Sequence, residues 1–125
     1  MKRTVRRAAI VLAALTITTL GLAVPAQAAV AAPTALADCP SSYACLWVNT
    51  NYSGTRWQGM NANPTLPSSI NNRSSSAYNH GVNCEVHWYE GSNYSGGQLN
   101  QPRGNSIPNL GPLLWGDLIS SMNWC

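Results

Sequence analysis

Residues 8–24 form one long apolar run, but beyond it apolar residues come only in short bursts punctuated by Gly, Pro and Asn. Residues 43–48 alternate imperfectly and are rich in strand formers. Residues 49–54 are polar and turn-prone, and 55–60 resume as a strand around Trp57. A Pro- and Asn-rich stretch follows through Asn63-Pro64 and Leu66-Pro67, then the polar run 68–78 and a connector over 79–83. The plan then starts again: a strand over 85–89, a turn over 90–96, a strand over 97–101, a loop over 102–112, and Leu113-Leu114-Trp115 leading into 116–125. After the first run, no segment holds a helical period for ten residues. The pattern therefore predicts an antiparallel all-β sandwich of short strands.

The second half copies the first. Trp47, four residues, Tyr52, one residue, Gly54 recurs as Tyr89, four residues, Tyr94, one residue, Gly96. Asn51-Tyr52-Ser53-Gly54 and Asn93-Tyr94-Ser95-Gly96 are identical, with their tyrosines 42 residues apart. Such a spacing marks a duplicated supersecondary unit. Each copy reads as a hairpin tip in which glycine supplies the positive φ of a tight turn. The chain holds five Trp, five Tyr and no Phe. In a small domain these aromatics are core material first, so Tyr52 and Tyr94 are expected to pack as corners over their own hairpins. A stacking platform for sugars or bases is the rival use of the same residues.

The N-terminus changes the charge picture. Lys2, Arg3, Arg6 and Arg7 precede the apolar run, and Ala26-Gln27-Ala28 follows it. This is the layout of a secretory signal peptide, with cleavage expected after Ala28, and the run lacks the length and flanks of a membrane span. Leu36-Ala37-Asp38-Cys39 only faintly resembles a lipoprotein box, since Asp38 stands where a small residue belongs and Cys39 lies far past the apolar run. The whole chain carries +3, but four of its seven basic residues leave with the signal. Arg56, Arg73 and Arg103 then face Asp38, Glu85, Glu90 and Asp117, a net charge of −1 with the histidines counted as neutral. That balance gives no electrostatic case for nucleic acid or for a membrane partner after cleavage. The expected organisation is a signal peptide over 1–28, an Ala-rich mobile leader over 29–38, and one domain over 39–125.

A domain this small buries only some 60–65 % of its chain's surface, so cross-links are expected. Four cysteines in a secreted chain supply two disulfides, and three pairings are available. Cys39–Cys45 with Cys84–Cys125 is preferred because it gives each half its own staple. Zinc is disfavoured, because no CxxC pair occurs and the destination is oxidising.

The repeated aromatic-x4-aromatic-x-Gly resembles the Greek-key signature of βγ-crystallin-type domains. The second half of that signature, two Asn/Asp, two variable residues and Ser/Thr-Ser, is matched by Asn71-Asn72-Arg73-Ser74-Ser75-Ser76. Gly116-Asp117-Leu118-Ile119-Ser120-Ser121 matches it except at Gly116. The resemblance implies a βγ-crystallin-like sandwich of two tandem Greek-key motifs, over 43–80 and 84–125, stabilised by disulfides. Cys39-x5-Cys45, the signal and the small size also resemble the secreted bacterial peptidase inhibitors of family I36.

Those resemblances set the functional expectations. The first is a secreted, monomeric inhibitor of an extracellular peptidase, acting through a rigid loop over 79–86 anchored by Cys84, with Asn83, Cys84, Glu85 and Val86 as the inhibitory residues. A second candidate loop spans 102–112. The alternative is a calcium-binding or structural module. Carried over by position, one calcium site would use Asn72, the Arg73 carbonyl, Ser75 and Glu90. The other would use the Val48 carbonyl, Gly116, Asp117, the Leu118 carbonyl and Ser120. With at most one carboxylate each, these sites imply binding in the ~10⁻⁴–10⁻³ M range or none, and no cofactor is required. Asn and Ser at such places also cap turns without any ion. A killer-toxin-like antimicrobial factor is a third reading from the same fold. Catalysis is not expected. His80 and His87 flank Cys84 without a nucleophile elbow or HExxH, paired cysteines leave no thiolate, and no spacing marks Glu85 and Glu90 as a glycosidase pair.

Overall fold

The structure, a computed structural model, describes residues 35–125. The signal peptide expected over 1–28 and the leader residues 29–34 lie outside the described residues. The two strand-turn-strand runs become hairpins, β1 (Ala44–Asn49) with β2 (Ser53–Gly59) and β4 (Val86–Gly91) with β5 (Ser95–Gln101). Both are antiparallel, and both carry a register irregularity beside the turn, between Trp47 and Asn49 in one and between Tyr89 and Gly91 in the other. The serine-ended runs supply β3 (Ser76–Asn79) and β7 (Ser121–Trp124), which pair with β1 and β4 on the side away from the hairpin partner. The loop expected over 102–112 is partly ordered into β6 (Ser106–Ile107) and the start of a 3-10 turn over Gly111–Leu113.

The strand order is β2-β1-β3-β6 in one sheet and β5-β4-β7 in the other. β6 comes from the second half of the chain yet pairs with β3 of the first. Asn63 of the first half returns the exchange by bridging Met122 in β7, through N–H to carbonyl bonds of 2.8 and 3.0 Å. Each half thus lends a segment to the other's sheet. Between the sheets lie the inward residues of the period-2 strands, with Leu46 and Trp88 at equivalent places beside Ile70, Leu110, Ile119 and Met122, all fully buried. Trp57 meets Trp88 edge-on at 6.4 Å.

The outward aromatics form the corners. Tyr52 packs edge-on against Trp47 at 5.3 Å, and Tyr94 against Tyr89 at 5.8 Å. Both corner tyrosines are left-handed, at φ 57° and 61°, followed by Gly54 and Gly96 at 79° and 80°. A tyrosine keeps such a backbone only where its surroundings over-determine it. Ser76 and Ser121 do so. Their buried hydroxyls accept the Tyr52 and Tyr94 N–H groups at 3.0 Å each, and donate to the Asn49 and Gly91 carbonyls at 2.7 and 2.6 Å. Ser76→Ala and Ser121→Ala each orphan a donor and an acceptor, so each is expected to cost about 2 kcal/mol. Urea unfolding of the two variants should return nearly equal losses, because the two environments are copies.

Trp47 is covered on its outer side by Cys39, Cys45, Tyr43 and Leu36. Leu36 lies in the stretch expected to be a mobile leader. There its side chain packs, partly buried, against the cluster of the first disulfide and Trp47. At the other end of the chain, Leu114 closes the 3-10 turn in a left-handed conformation (φ 62°) with 82 % of its surface exposed. It gives up about 1–2 kcal/mol of backbone preference with little packing in return. Leu114→Asn is expected to raise stability by about 0.5–1 kcal/mol, read as a higher thermal midpoint.

Candidate functional site

The connector 79–84 is a ridge fixed from within. Asn79 ends β3 fully buried. Its carboxamide nitrogen donates to the Cys84 carbonyl at 3.1 Å and the Gln101 carbonyl at 2.9 Å, while its oxygen accepts the Gly81 N–H at 2.9 Å. Gln101, also buried, donates to the Asn105 carbonyl at 2.8 Å and accepts the Trp88 indole N–H at 2.8 Å. A chain of satisfied polar groups therefore ties the ridge to the core tryptophan, which rigidifies it. Cys84 is bonded to Cys125 and Cys39 to Cys45, with Cα separations of 5.8 and 6.0 Å. Each half has its own staple.

The two loops expected to be separate candidates meet here. The Arg103 guanidinium, on the second, donates to the Val82 carbonyl on the first. A cleft of about 310 Å³ between them is lined by Ser41, His80, Gly81, Val82, Arg103 and Gly104. On the other flank, a cleft of about 290 Å³ runs between Met60, Gly81, Val82, Asn83, Cys84 and Trp124, with Ser42 at its edge. Asn83 is exposed and Glu85 half-buried, its carboxylate 2.8 Å from His87 Nε2. Val86 is not part of any loop surface. It opens β4, pairs with Gln101 and Trp124, and is fully buried, because the strand's inward phase begins on it. The presented segment is thus 80–85. Residues 79, 82 and 103, which shape it, were not singled out beforehand. A buried Asn at a strand end leaves no periodic signal.

His80 stacks on Tyr78 at 4.9 Å and its Nδ1 lies 2.7 Å from the Cys39 carbonyl, a structural placement that bolts the ridge to the N-terminal turn. The broad cleft of about 660 Å³ beside Trp47, Tyr52 and Arg56 offers no open ring face on Trp47, which is 2 % exposed. Tyr52 and Tyr94 each pack edge-on against the aromatic of their own hairpin, as the corner reading expects.

The two Asn/Asp-x-x-Ser loops lie together at the opposite end of β3. Asn72 N–H donates to the Ile119 carbonyl at 2.9 Å, and Asp117 N–H to the Ser74 carbonyl at 2.8 Å. The loops run past one another, which brings a serine of each motif beside the Asn/Asp loop of the other. Ser120 donates to Asn72 Oδ1 at 2.8 Å and is docked through its N–H on the Tyr89 carbonyl, next to Glu90. Ser75 is docked on the Trp47 carbonyl, next to Val48, where Asp117 crosses. Asn72 and Ser120 therefore face the Glu90 side, and Asp117 and Ser75 the Val48 side. Arg73 and Leu118 are exposed beside them, and Gly116 is half-buried. Glu90 folds back onto its own hairpin, its carboxylate accepting the Gly97 N–H at 3.1 Å. Asn71 Oδ1 and Ser74 Oγ are buried without a hydrogen-bond partner.

Residues 32–100, more than half of the chain, match the model of peptidase inhibitor family I36. No curated protein matches the chain. Among solved structures the chain is similar to one bearing on the evolution of the eye lens βγ-crystallin domain fold, at 20 % identity and a TM-score of 0.65 over 70 % of this chain and 89 % of that one. It is also similar to a βγ-crystallin from an archaeon (16 %, TM-score 0.59, 69 % and 100 % covered). A βγ-crystallin domain from Clostridium beijerinckii is a further neighbour (20 %, TM-score 0.54, 66 % and 95 % covered). At these identities the likeness establishes the βγ-crystallin fold.

Proposed function

The chain belongs to peptidase inhibitor family I36, and from that membership we propose a secreted protein that blocks an extracellular peptidase by presenting the ridge 80–85 to the enzyme's cleft. Membership makes its partner a peptidase and its role non-enzymatic. The observation that carries the choice of surface is the double anchoring of the ridge, by the Cys84–Cys125 bond and by the buried Asn79 carboxamide. A segment already held in one shape loses little conformational entropy on binding, which is how a rigid loop gains affinity. Secretion is supported by the signal-like N-terminus and by disulfides, which persist in oxidising compartments.

The test uses the protein recovered from culture medium, titrated against a thermolysin-like metallopeptidase and a subtilisin-like serine peptidase. Loss of activity in one class at one equivalent of protein is expected. No stoichiometric inhibition of either would overturn the reading. Mass spectrometry of the same material should place the N-terminus at Ala29.

A second reading, calcium held between the motifs, is favoured by the orphaned Asn71 and Ser74 oxygens beside the crossed loops. Asn72 with Ser120, and Asp117 with Ser75, are the hard-oxygen donors that would hold it. With a dissociation constant near ~1 mM, 10 mM calcium adds about 1.4 kcal/mol. That is a rise of ~5–10 °C in thermal midpoint over a chelated sample. An unchanged midpoint removes this reading without touching the first.

A further inference from the structure

The geometry points to Val82 as the side chain that enters the target peptidase's primary specificity pocket, a small aliphatic one, with Arg103 as the residue that positions it; this rests on the inhibitor reading above. Val82 is 47 % exposed and is the only exposed large apolar side chain on the anchored ridge. The main chain is held at three points around it. Gly81 lies against the Trp124 ring, where a Cβ would come within 2.6 Å of a ring carbon. Its N–H is bound by Asn79, the Val82 carbonyl by Arg103, and the Cys84 carbonyl by Asn79. The clefts on either flank leave Val82 standing as a knob with room for an enzyme's walls, Met60 and Trp124 on one side and His80 and Arg103 on the other.

The chemistry of the knob selects the pocket. Valine is uncharged and stiff at χ1, so seating it orders little that is not ordered already. A pocket built around a buried acid for Lys or Arg would be left with an unpaired charge, which rejects a mismatched side chain strongly. The target is therefore a peptidase of small-aliphatic preference, not one of basic preference. Leu114 is more exposed, but its left-handed backbone does not present an extended segment to a cleft. It is the natural surface control.

Four variants test this against whichever peptidase the wild-type protein inhibits. Val82→Asp should weaken inhibition about 100-fold and Val82→Leu by less than ~10-fold, as expected of a central anchor. Leu114→Asp should stay within ~3-fold of wild type, as a residue outside the interface core does. Arg103→Ala should weaken inhibition ~10-fold at an unchanged thermal midpoint, with Arg103→Lys recovering most of it, because the loss is one of preorganisation. A half-exposed Val82 can be changed without unfolding the domain, and equal midpoints for Val82→Asp and wild type confirm that. Inhibition by Val82→Asp within ~3-fold of wild type would overturn the assignment and leave the inhibitor reading intact. A wild-type protein that inhibits no peptidase would overturn both.

Discussion

Trp88→Ala lowers the unfolding free energy by about 4–5 kcal/mol, near the top of the range for a buried tryptophan. Trp88 is fully buried in the core of the sandwich, edge-on to Trp57. Among the described residues its indole N–H is also the only donor to Gln101 Oε1, in the buried chain that ends on Asn79. Removing it adds an orphaned buried acceptor to the cavity, worth about 1–3 kcal/mol by itself. Leu46→Ala removes the equivalent inward side chain of the other motif and touches no polar chain, so its loss should fall lower, at about 3 kcal/mol. Domains of this size are stable by roughly 5–14 kcal/mol, so Trp88→Ala sits close to the folding threshold. Urea titration at low temperature checks it. A loss under ~2 kcal/mol would mean that Trp88 is peripheral to the core and to the ridge alike.

The duplication was plain in the chain because it is written twice in identical residues. Asn51-Tyr52-Ser53-Gly54 and its copy carry a local backbone solution, left-handed Tyr then left-handed Gly, that needs no distant partner to be recognised. The four hairpin strands followed to within a residue or two for the same reason, since alternation is a local signal, whereas β3 and β7 were not marked as strands. What the halves do to each other was not legible. β6 is two residues long and Asn63 a single bridge, and no periodicity can be read from one or two residues. Without that exchange, each Asn/Asp is grouped with its own motif's serine, whereas the Ser120 hydroxyl lies against Asn72 of the other motif. Val86 was expected at the strand start and also on the presented loop; its side chain takes the inward phase of the strand and is buried. Asn79 and Gln101 look in the chain like any polar residues near a turn. Only burial distinguishes them, and burial is a tertiary property. The same holds for Leu36, which sits in an Ala-rich run and packs against a disulfide it does not belong to.

The two disulfides should differ in worth, and in what they do to the ridge. In the chain-entropy picture Cys84–Cys125, with a sequence separation of 41, stabilises by about 4 kcal/mol, and Cys39–Cys45, with a separation of 6, by about 2 kcal/mol. Cys84→Ser with Cys125→Ser should therefore unfold at much lower urea than Cys39→Ser with Cys45→Ser. The first pair has a further consequence. Cys84 is the C-terminal post of the ridge, and Cys125 is tied back to the Glu85 carbonyl by its own N–H at 3.2 Å. Cutting the bond removes the covalent post and leaves the ridge to hydrogen bonds from Asn79, Arg103 and His80, so inhibition should weaken even at temperatures where the variant is fully folded. Cutting Cys39–Cys45 instead loosens the turn over Trp47 and leaves the two ridge anchors in place. Inhibition measured on both double variants, at a temperature where circular dichroism reports native structure, separates the two effects. Equal inhibition by both would mean that the second disulfide serves stability alone and that the ridge keeps its shape through the buried Asn79–Gln101 chain.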